Sequence, residues 1–276
     1  MLEEPQPILV TPLFPHLHAE LLSLLKSLSA ADWQKATACP GWSVKDVALH
    51  LLGGEIGNLS RRRDGTASTA SIHNWGELVS FVNDWNRDWV SVAGRISPRL
   101  LIDLLALSGS QMCAYFAELD PFVLGDPVNW VGPDPAPVWL DLAREYTERW
   151  HHQQHIRDAV GKPGLKEPVH FAPVLQAFMR ALPRAYSDTP AADGTCVSVT
   201  ISGPAGGRWS ILRREGSWVL YSGAPASPQA EALLDQETAW RLFTRGLDPT
   251  LARAQLSLRG DPSLAAQVLE MVSIIA

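Results

Sequence analysis

The spacing of apolar residues changes once along this chain of 276 residues, and that change limits the folds open to it. Up to about residue 160, leucines and other apolar residues recur at helical spacing between loops rich in Pro and Gly. From about residue 190, short runs of alternating β-branched residues replace this pattern. The sequence therefore predicts an α+β protein, with a helical domain over residues 1–165 and a small α/β domain over residues 166–276.

The helical domain is expected to contain a series of long helices. Ser43 and Asp46 have the spacing of a capping box, which places the start of the second helix. The stretch 120–137 is rich in Pro, Gly and Asp and is predicted to be a loop. The predicted helices span residues 14–29, 43–63, 75–94, 98–119 and 138–160.

The carboxy-terminal domain is expected to combine short strands with helices. Glu215 and Gly216 separate two of the strand candidates and predict a hairpin turn. Strands are predicted over residues 195–202, 208–214, 217–223 and 254–260. Helical segments are predicted around residues 168–187, 228–244 and 261–274.

Composition narrows the classes of partner and compartment. Lys and Arg number 23 and Asp and Glu 29, and the resulting net charge of −6 argues against binding nucleic acid. The cysteines lie far apart without a CxxC pair, which indicates a reducing compartment without disulfides. The amino terminus lacks a signal-peptide pattern, and no uninterrupted apolar run approaches the ~18 residues that span a membrane. We expect a soluble cytoplasmic protein that binds neither nucleic acid nor membrane.

The segment from Thr147 to Asp158 holds the densest group of reactive side chains. On a helix, Glu148, His152 and His155 fall within about 60° of one another, with His151 beside them. A carboxylate and an imidazole at i and i+4 can reach one metal ion. This face lies opposite an apolar stripe, so it is either a metal site or an ordinary solvated surface. The spacing alone leaves both alternatives open.

His50 is the candidate for a further metal ligand. It lies at the edge of a predicted buried arc on the helix 43–63, and Gly53, Gly54 and Gly57 lie on its side of that helix. Glycines are unfavourable inside helices, so something is expected to approach closely there. A metal with its ligands or a tightly packed second helix would account for them equally. The predicted arc consists of Val44, Val47, Ala48, Leu51, Leu52, Ile56 and Leu59.

Cys39 precedes Pro40 and is either a nucleophile or a structural thiol. The sequence predicts no base to pair with it, which favours the structural role.

Two segments resemble the mycothiol-dependent maleylpyruvate isomerase family of DinB-like metal-binding four-helix bundles. PGWSVKDVALHL (40–51) matches the family's Pro-Gly-Trp turn, and His50 follows Trp42 by the family's eight residues. TERWHHQQHIRDA (147–159) matches its Glu-x-x-x-His pair with an intervening Trp. ETAWRLFTRG (237–246) and LSLRGDPSLA (256–265) resemble its small carboxy-terminal α/β domain. The resemblance therefore covers nearly the whole chain.

The resemblance implies a DinB-like four-helix bundle, a metal site and a thiol cofactor. His50, Glu148 and His152 match the family's ligands for a divalent metal, which we expect to be zinc. The family has Asp at the position of His155. His155 therefore either competes as a metal ligand or contacts a metal-binding side chain without binding the metal itself. A low-molecular-weight thiol of the mycothiol or bacillithiol type would act with the metal in isomerisation or S-transfer on a small-molecule substrate. Arg245 is the carboxy-terminal candidate for holding a substrate carboxylate.

Two other functions remain open at this stage. A non-catalytic protein that binds or senses small molecules is favoured if four protein ligands, His155 included, saturate the metal. A metal-dependent hydrolase would act through bound water and need no thiol. The sequence leaves monomer and dimer open as well.

Overall fold

A computed structural model describes residues 2–67, 72 and 74–274 of the chain. These residues form two compact units. The helical unit comprises Leu9–Val123 and Glu145–Leu165, and the sheet unit comprises the residues up to Ile8, Leu124–Arg144 and Lys166–Ile274. The α+β class is confirmed, with helices in the amino-terminal part and a sheet in the carboxy-terminal part. A single boundary after residue 165 stays a prediction.

Each of the long predicted helices of the amino-terminal part is present. Their ends agree with the sequence to within a few residues, except that the second helix continues as a π-helical turn over Leu59–Arg63. The predicted capping box is confirmed, because Asp46 N donates to the Ser43 side chain and Ser43 N donates to the Asp46 carboxylate. The helices are α1 (Phe14–Lys26), α2 (Val44–Asn58), α3 (Trp75–Ala93), α4 (Pro98–Glu118) and α5 (Val138–Val160).

Every residue of the predicted buried arc of α2 is buried except Ile56, and the prediction left out Leu49 and Glu55. Ile56 is 39% exposed, whereas Glu55 is only 2% exposed. Residue 55 follows Leu51 by four positions and Leu52 by three, so helical geometry points it to the core side. The sequence did not predict burial of Glu55, because acidic side chains are rarely buried. The buried residues of α2 and the turn after it are Val44, Val47, Ala48, Leu49, Leu51, Leu52, Glu55 and Leu59.

Helix α4 is long and apolar enough to cross a membrane by length and composition, although Arg99 and Asp103 interrupt its apolar residues. Within the helical unit, Leu101, Leu105, Met112 and Phe116 of α4 are nearly inaccessible to solvent. The side chains of Leu101 and Leu105 belong to the same apolar core as α1 and α2. We therefore assign α4 to the bundle, and the cytoplasmic location stays a prediction.

The sheet unit contains a mixed five-stranded sheet and a small two-stranded one. Strand order in the larger sheet is β5-β4-β3-β6-β7, with β3 and β6 parallel and the other neighbours antiparallel. The predicted loop 120–137 contains the two-stranded sheet of β1 and β2. The strands are β1 (Leu124–Pro127), β2 (Pro135–Pro137), β3 (Cys196–Ser202), β4 (Gly207–Arg214), β5 (Ser217–Ser222), β6 (Ala230–Asp235) and β7 (Ser257–Gly260).

The helix predicted around 228–244 is wrong in its first half, which forms β6. Its composition favours a helix, but Ala230, Ala232 and Leu234 are buried at every second position, as a strand requires. Pairing with β3 decides the conformation here, since strand preference depends strongly on tertiary context. The remaining helices are α6 (Pro168–Met179), α7 (Leu182–Ala185), α8 (Gln236–Phe243), α9 (Pro249–Arg253, not predicted) and α10 (Pro262–Ala266).

The three glycines of α2 differ in whether another side chain packs against them. A Cβ on Gly53 would lie 2.5 Å from Nε1 of Trp89 on α3, and this indole donates a 2.7 Å hydrogen bond to Leu49 O. Close helix packing therefore accounts for Gly53. A Cβ on Gly54 or Gly57 would meet nothing within 4 Å among the described residues, so space is open beside them.

Gly53→Ala is expected to lower the free energy of unfolding by about 1–3 kcal/mol, because a rigid indole would have to leave its hydrogen bond. Gly57→Ala on the same helix is the matched control, and it should raise stability by up to about 1 kcal/mol. Urea titration of the two variants measures both effects. Equal unfolding midpoints would show that Trp89 does not require the glycine.

Candidate metal centre

His50 of α2 meets Glu148 and His152 of α5 at one point. Oε1 of Glu148 lies 2.9 Å from His50 Nε2 and 3.1 Å from His152 Nε2. The two imidazole ring centres are 4.6 Å apart. One ligand atom from each of the three residues lies within 4.8 Å of the other two. The structure thus brings together the three side chains that the family resemblance singled out.

The charge state of Glu148 fixes the direction of these hydrogen bonds. Burial alone would raise the pKa of this carboxyl, but the adjoining imidazoles of His152 and His50 hold it well below its usual range. An ionised carboxylate only accepts hydrogen bonds, so both Nε2 atoms donate to it. About a third of the Glu148 side chain remains exposed, compared with 12% for His50 and 11% for His152.

The other histidines of α5 are buried, so the alternative of a solvated polar face is wrong. Burial lowers the pKa of His151 to about 3, and its Nδ1 donates to Thr147 O over 2.9 Å. Burial also lowers the pKa of His152. These rings are therefore neutral near pH 7, which is the form that binds metal ions.

The Pro-Gly-Trp turn places His50 and covers one side of its ring. Trp42 N donates to Cys39 O, and Thr37 N donates to Trp42 O, which closes the turn in front of α2. Gly41 has a φ of 78°, a conformation that glycine adopts without steric cost. The Trp42 ring centre lies 5.2 Å from that of His50. The motif thus limits the access of water to the His50 ring.

Sequence reasoning missed the neighbourhood of Cys39. Its Sγ lies 3.1 Å from His155 Nδ1 and 3.9 Å from His152 Nδ1. Burial raises the pKa of the thiol to about 11, so the side chain is a neutral thiol near pH 7. Cys39 and His155 lie 116 positions apart, so no motif in the sequence connects them. Only the folded turn before α2 brings them together.

A buried ionic network holds α5 against its neighbours. Arg149 Nη1 lies 2.6 Å from Glu145 Oε2, and Arg149 Nε lies 4.0 Å from Glu55 Oε1. Ser108 donates to Glu55 over 2.5 Å, and Asn58 donates to Glu145 over 3.1 Å. The network joins α2, α4 and α5 and surrounds the residue that follows Glu148. It therefore fixes the rotation of α5 that presents Glu148 to His50.

Arg245 lies in the sheet unit, just after α8. It is exposed, its φ is 58°, and its backbone N donates to Leu242 O. Its assignment to a substrate carboxylate stays a prediction.

Comparison with known proteins identifies the family of this chain and solved structures with a similar fold. The profile of the mycothiol maleylpyruvate isomerase N-terminal domain matches residues 14–157. A crystal structure of the mycothiol-dependent maleylpyruvate isomerase matches with a TM-score of 0.55 and 12% identity over 92% of this chain and 94% of that one. A mutant of that enzyme matches with the same TM-score and coverage and 10% identity. At such low identity the two structures support the fold alone. No curated protein matches the sequence significantly.

The Glu55 side chain predicts a pH dependence of stability. Burial raises the pKa of this carboxyl to about 7 from an ordinary value of 4.5, despite the opposing effects of Arg149 and Ser108. Ionising Glu55 thus costs more in the folded than in the unfolded chain, so its contribution to stability is complete below pH 4.5 and declines as pH rises to about 7.

Glu55→Gln should therefore gain stability relative to wild type across this window, by at most about 1.4 kcal/mol per pH unit. Urea unfolding of both proteins at pH 4.5, 6 and 8 measures the difference. The value at pH 4.5 is the internal reference, because Glu55 is then protonated in the folded protein. A pH-independent difference would contradict the raised pKa.

Proposed function

Because the chain belongs to the mycothiol maleylpyruvate isomerase family, we propose that it is a metal-dependent enzyme that uses a low-molecular-weight thiol. The proposed reaction is isomerisation of, or S-transfer to, a small carboxylic acid with a conjugated double bond, similar to maleylpyruvate. The observation that carries the proposal is the convergence of His50, Glu148 and His152 at one point. Mycothiol or bacillithiol is the proposed type of thiol.

The three donor atoms fit a zinc ion. Zinc bonds to imidazole nitrogen and carboxylate oxygen at about 2.0–2.2 Å, so tetrahedral ligand atoms lie roughly 3.3–3.5 Å apart. The observed separations from Glu148 Oε1 are 2.9 Å to His50 and 3.1 Å to His152. Movements of a few tenths of an ångström would bring these two separations to the expected range, and the remaining pair of ligand atoms lies within 4.8 Å. On binding, each ring would remain a neutral imidazole, with its proton on Nδ1 and its unprotonated Nε2 toward the ion.

Three protein ligands leave room for a further one. His155 lies on the Cys39 side of His152 and is not in the group formed by His50, Glu148 and His152. This observation favours a catalytic centre with an open position over one saturated by four protein ligands. The exposed part of Glu148 and the open space beside Gly54 and Gly57 offer an approach for a cofactor.

When bound, the ion and the thiol together would supply a thiolate, whose reversible addition to a conjugated double bond permits rotation about that bond. The chain's own residues prepare the centre for this. Glu148 orients both imidazoles through the hydrogen bonds at its Oε1. Trp42 and the surrounding core limit water at His50, which strengthens electrostatic interactions there. His151 stays neutral and so adds no competing positive charge.

The first prediction of this proposal concerns metal content. The wild-type protein reconstituted with zinc should hold one ion, measured by elemental analysis after dialysis. His152→Ala should lose stoichiometric binding, and so should His50→Ala combined with Cys39→Ser, which removes the thiol near His152 as an alternative ligand. His16→Ala is the matched control, because His16 is an exposed histidine on α1, and it should keep one ion. Affinity should weaken as pH falls, because protons compete for the imidazoles. Full zinc content in both site variants would refute the ligand assignment.

The second prediction concerns the reaction. The zinc-loaded protein should convert maleylpyruvate to its trans isomer only when mycothiol is present, and Glu148→Gln should lower the rate by about 100-fold or more, since it weakens metal binding. Absorbance of the conjugated acid follows the conversion. An analogue of mycothiol without the sulfur is the control and should give no conversion. Hydrolysis of a substrate at the same rate without thiol would favour a hydrolase instead.

A further inference from the structure

A second group of metal-binding side chains lies on the other side of His152. Cys39, His152 and His155 each offer a ligand atom within 4.8 Å of the other two. His152 directs Nε2 to Glu148 and Nδ1 to Cys39 Sγ, which lies 3.9 Å away. Cys39 Sγ lies 3.1 Å from His155 Nδ1. One imidazole thus separates a carboxylate-containing set of donors from a thiol-containing set.

The distances from Cys39 Sγ to the two imidazoles are close to those around a tetrahedral ion. Zinc bonds to thiolate sulfur at about 2.3 Å and to imidazole nitrogen at about 2.0–2.1 Å, so sulfur and nitrogen ligands lie roughly 3.5 Å apart. The observed distances from Cys39 Sγ, 3.1 Å to His155 and 3.9 Å to His152, lie on either side of this value. Small side-chain rotations would equalise them.

The backbone holds Cys39 in place for this role. Cys39 N donates to Thr37 Oγ1 over 3.2 Å, and Cys39 O accepts from Trp42 N within the turn before α2. His152 and His155 lie three positions apart on α5, which puts them on one face of the helix. Because the helix and the turn are both fixed, the three donors need little ordering to meet an ion.

We propose that Cys39, His152 and His155 form a second metal site, which binds a thiophilic divalent ion through one thiolate and two imidazoles. Binding replaces the thiol proton of Cys39 with a metal–sulfur bond, and that proton passes to the solvent. The site needs neither His50 nor an external thiol, so it can be tested without the reaction proposed above.

The shared ring makes the two sites compete. A neutral imidazole has one unprotonated nitrogen, so His152 offers either Nε2 to the set with His50 and Glu148 or Nδ1 to the set with Cys39 and His155. The protein therefore holds one ion at a time, and the softness of the ion decides where. A soft ion such as cadmium selects the thiolate set, because thiolate is the softest donor in either set.

Cadmium titration of the full-length protein tests the proposal. Wild-type protein should bind one cadmium ion and develop the ultraviolet charge-transfer absorption of a cadmium–thiolate bond. Cys39→Ser should lose this absorption. Cys113→Ser is the matched control, because Cys113 lies on α4 beside Arg149 rather than with these histidines, and it should keep the absorption. Cadmium binding without thiolate absorption in the wild type, or undiminished absorption in Cys39→Ser, would overturn the proposal.

Two further variants keep the result decisive. His155→Gln retains the thiol and should weaken cadmium binding about 10-fold or more, so it decides the outcome if Cys39→Ser does not fold. Glu148→Gln disables the carboxylate-containing set and should keep the cadmium–thiolate absorption at one equivalent. Loss of zinc binding in Glu148→Gln with retained cadmium absorption would support both sites. Unchanged cadmium affinity in His155→Gln would count against the second site whatever the zinc result.

Discussion

The buried ion pair of Arg149 with Glu145 is the constraint on which the rest of the helical unit depends. Charges removed from water are tolerated only when they are paired, and Arg149 faces two buried carboxylates, those of Glu145 and Glu55. The ion pair itself lies within α5, and the contacts of Arg149 with Glu55 and of Glu145 with Asn58 tie α5 to α2 at a fixed rotation. Glu148 is adjacent to Arg149 in sequence, so that rotation also sets its position against His50. The candidate metal centre is thus a consequence of how α5 is packed.

Helix α5 is buried on its polar side as well as its apolar side, and this gives its histidines unusual properties. Desolvation keeps His151 and His152 neutral, while their contact with Glu148 keeps that carboxylate ionised. Neutral imidazoles beside an anionic carboxylate can bind a divalent cation without first releasing the extra proton that a charged imidazole carries. His152 occupies the central position because its two nitrogens face different sets of donors. This arrangement connects the proposed enzyme chemistry to the proposed second site.

Much of the fold was predictable because helix capping and apolar periodicity, which are local in sequence, agree with the tertiary packing. The capping residue Ser43 and the periodicity of α5 gave helix positions that the structure confirms. The strand Ala230–Asp235 was not predictable, because its residues favour helix and only pairing with β3 makes it a strand. Glu55 was missed for a related reason, since its burial depends on a partner 94 positions away, Arg149. Likewise, the family resemblance pointed to the candidate metal ligands, but Cys39 joins the histidines only in three dimensions.

The most direct test of the central claim is the position of a bound zinc ion. Crystals of the zinc-loaded protein, measured at the zinc absorption edge, should show one anomalous peak about 2 Å from His50 Nε2, Glu148 Oε1 and His152 Nε2. The ion's remaining coordination position should be filled by solvent or an added thiol rather than by His155. A peak bonded to none of these three atoms, or the absence of any peak from crystals of zinc-saturated protein, would contradict this claim.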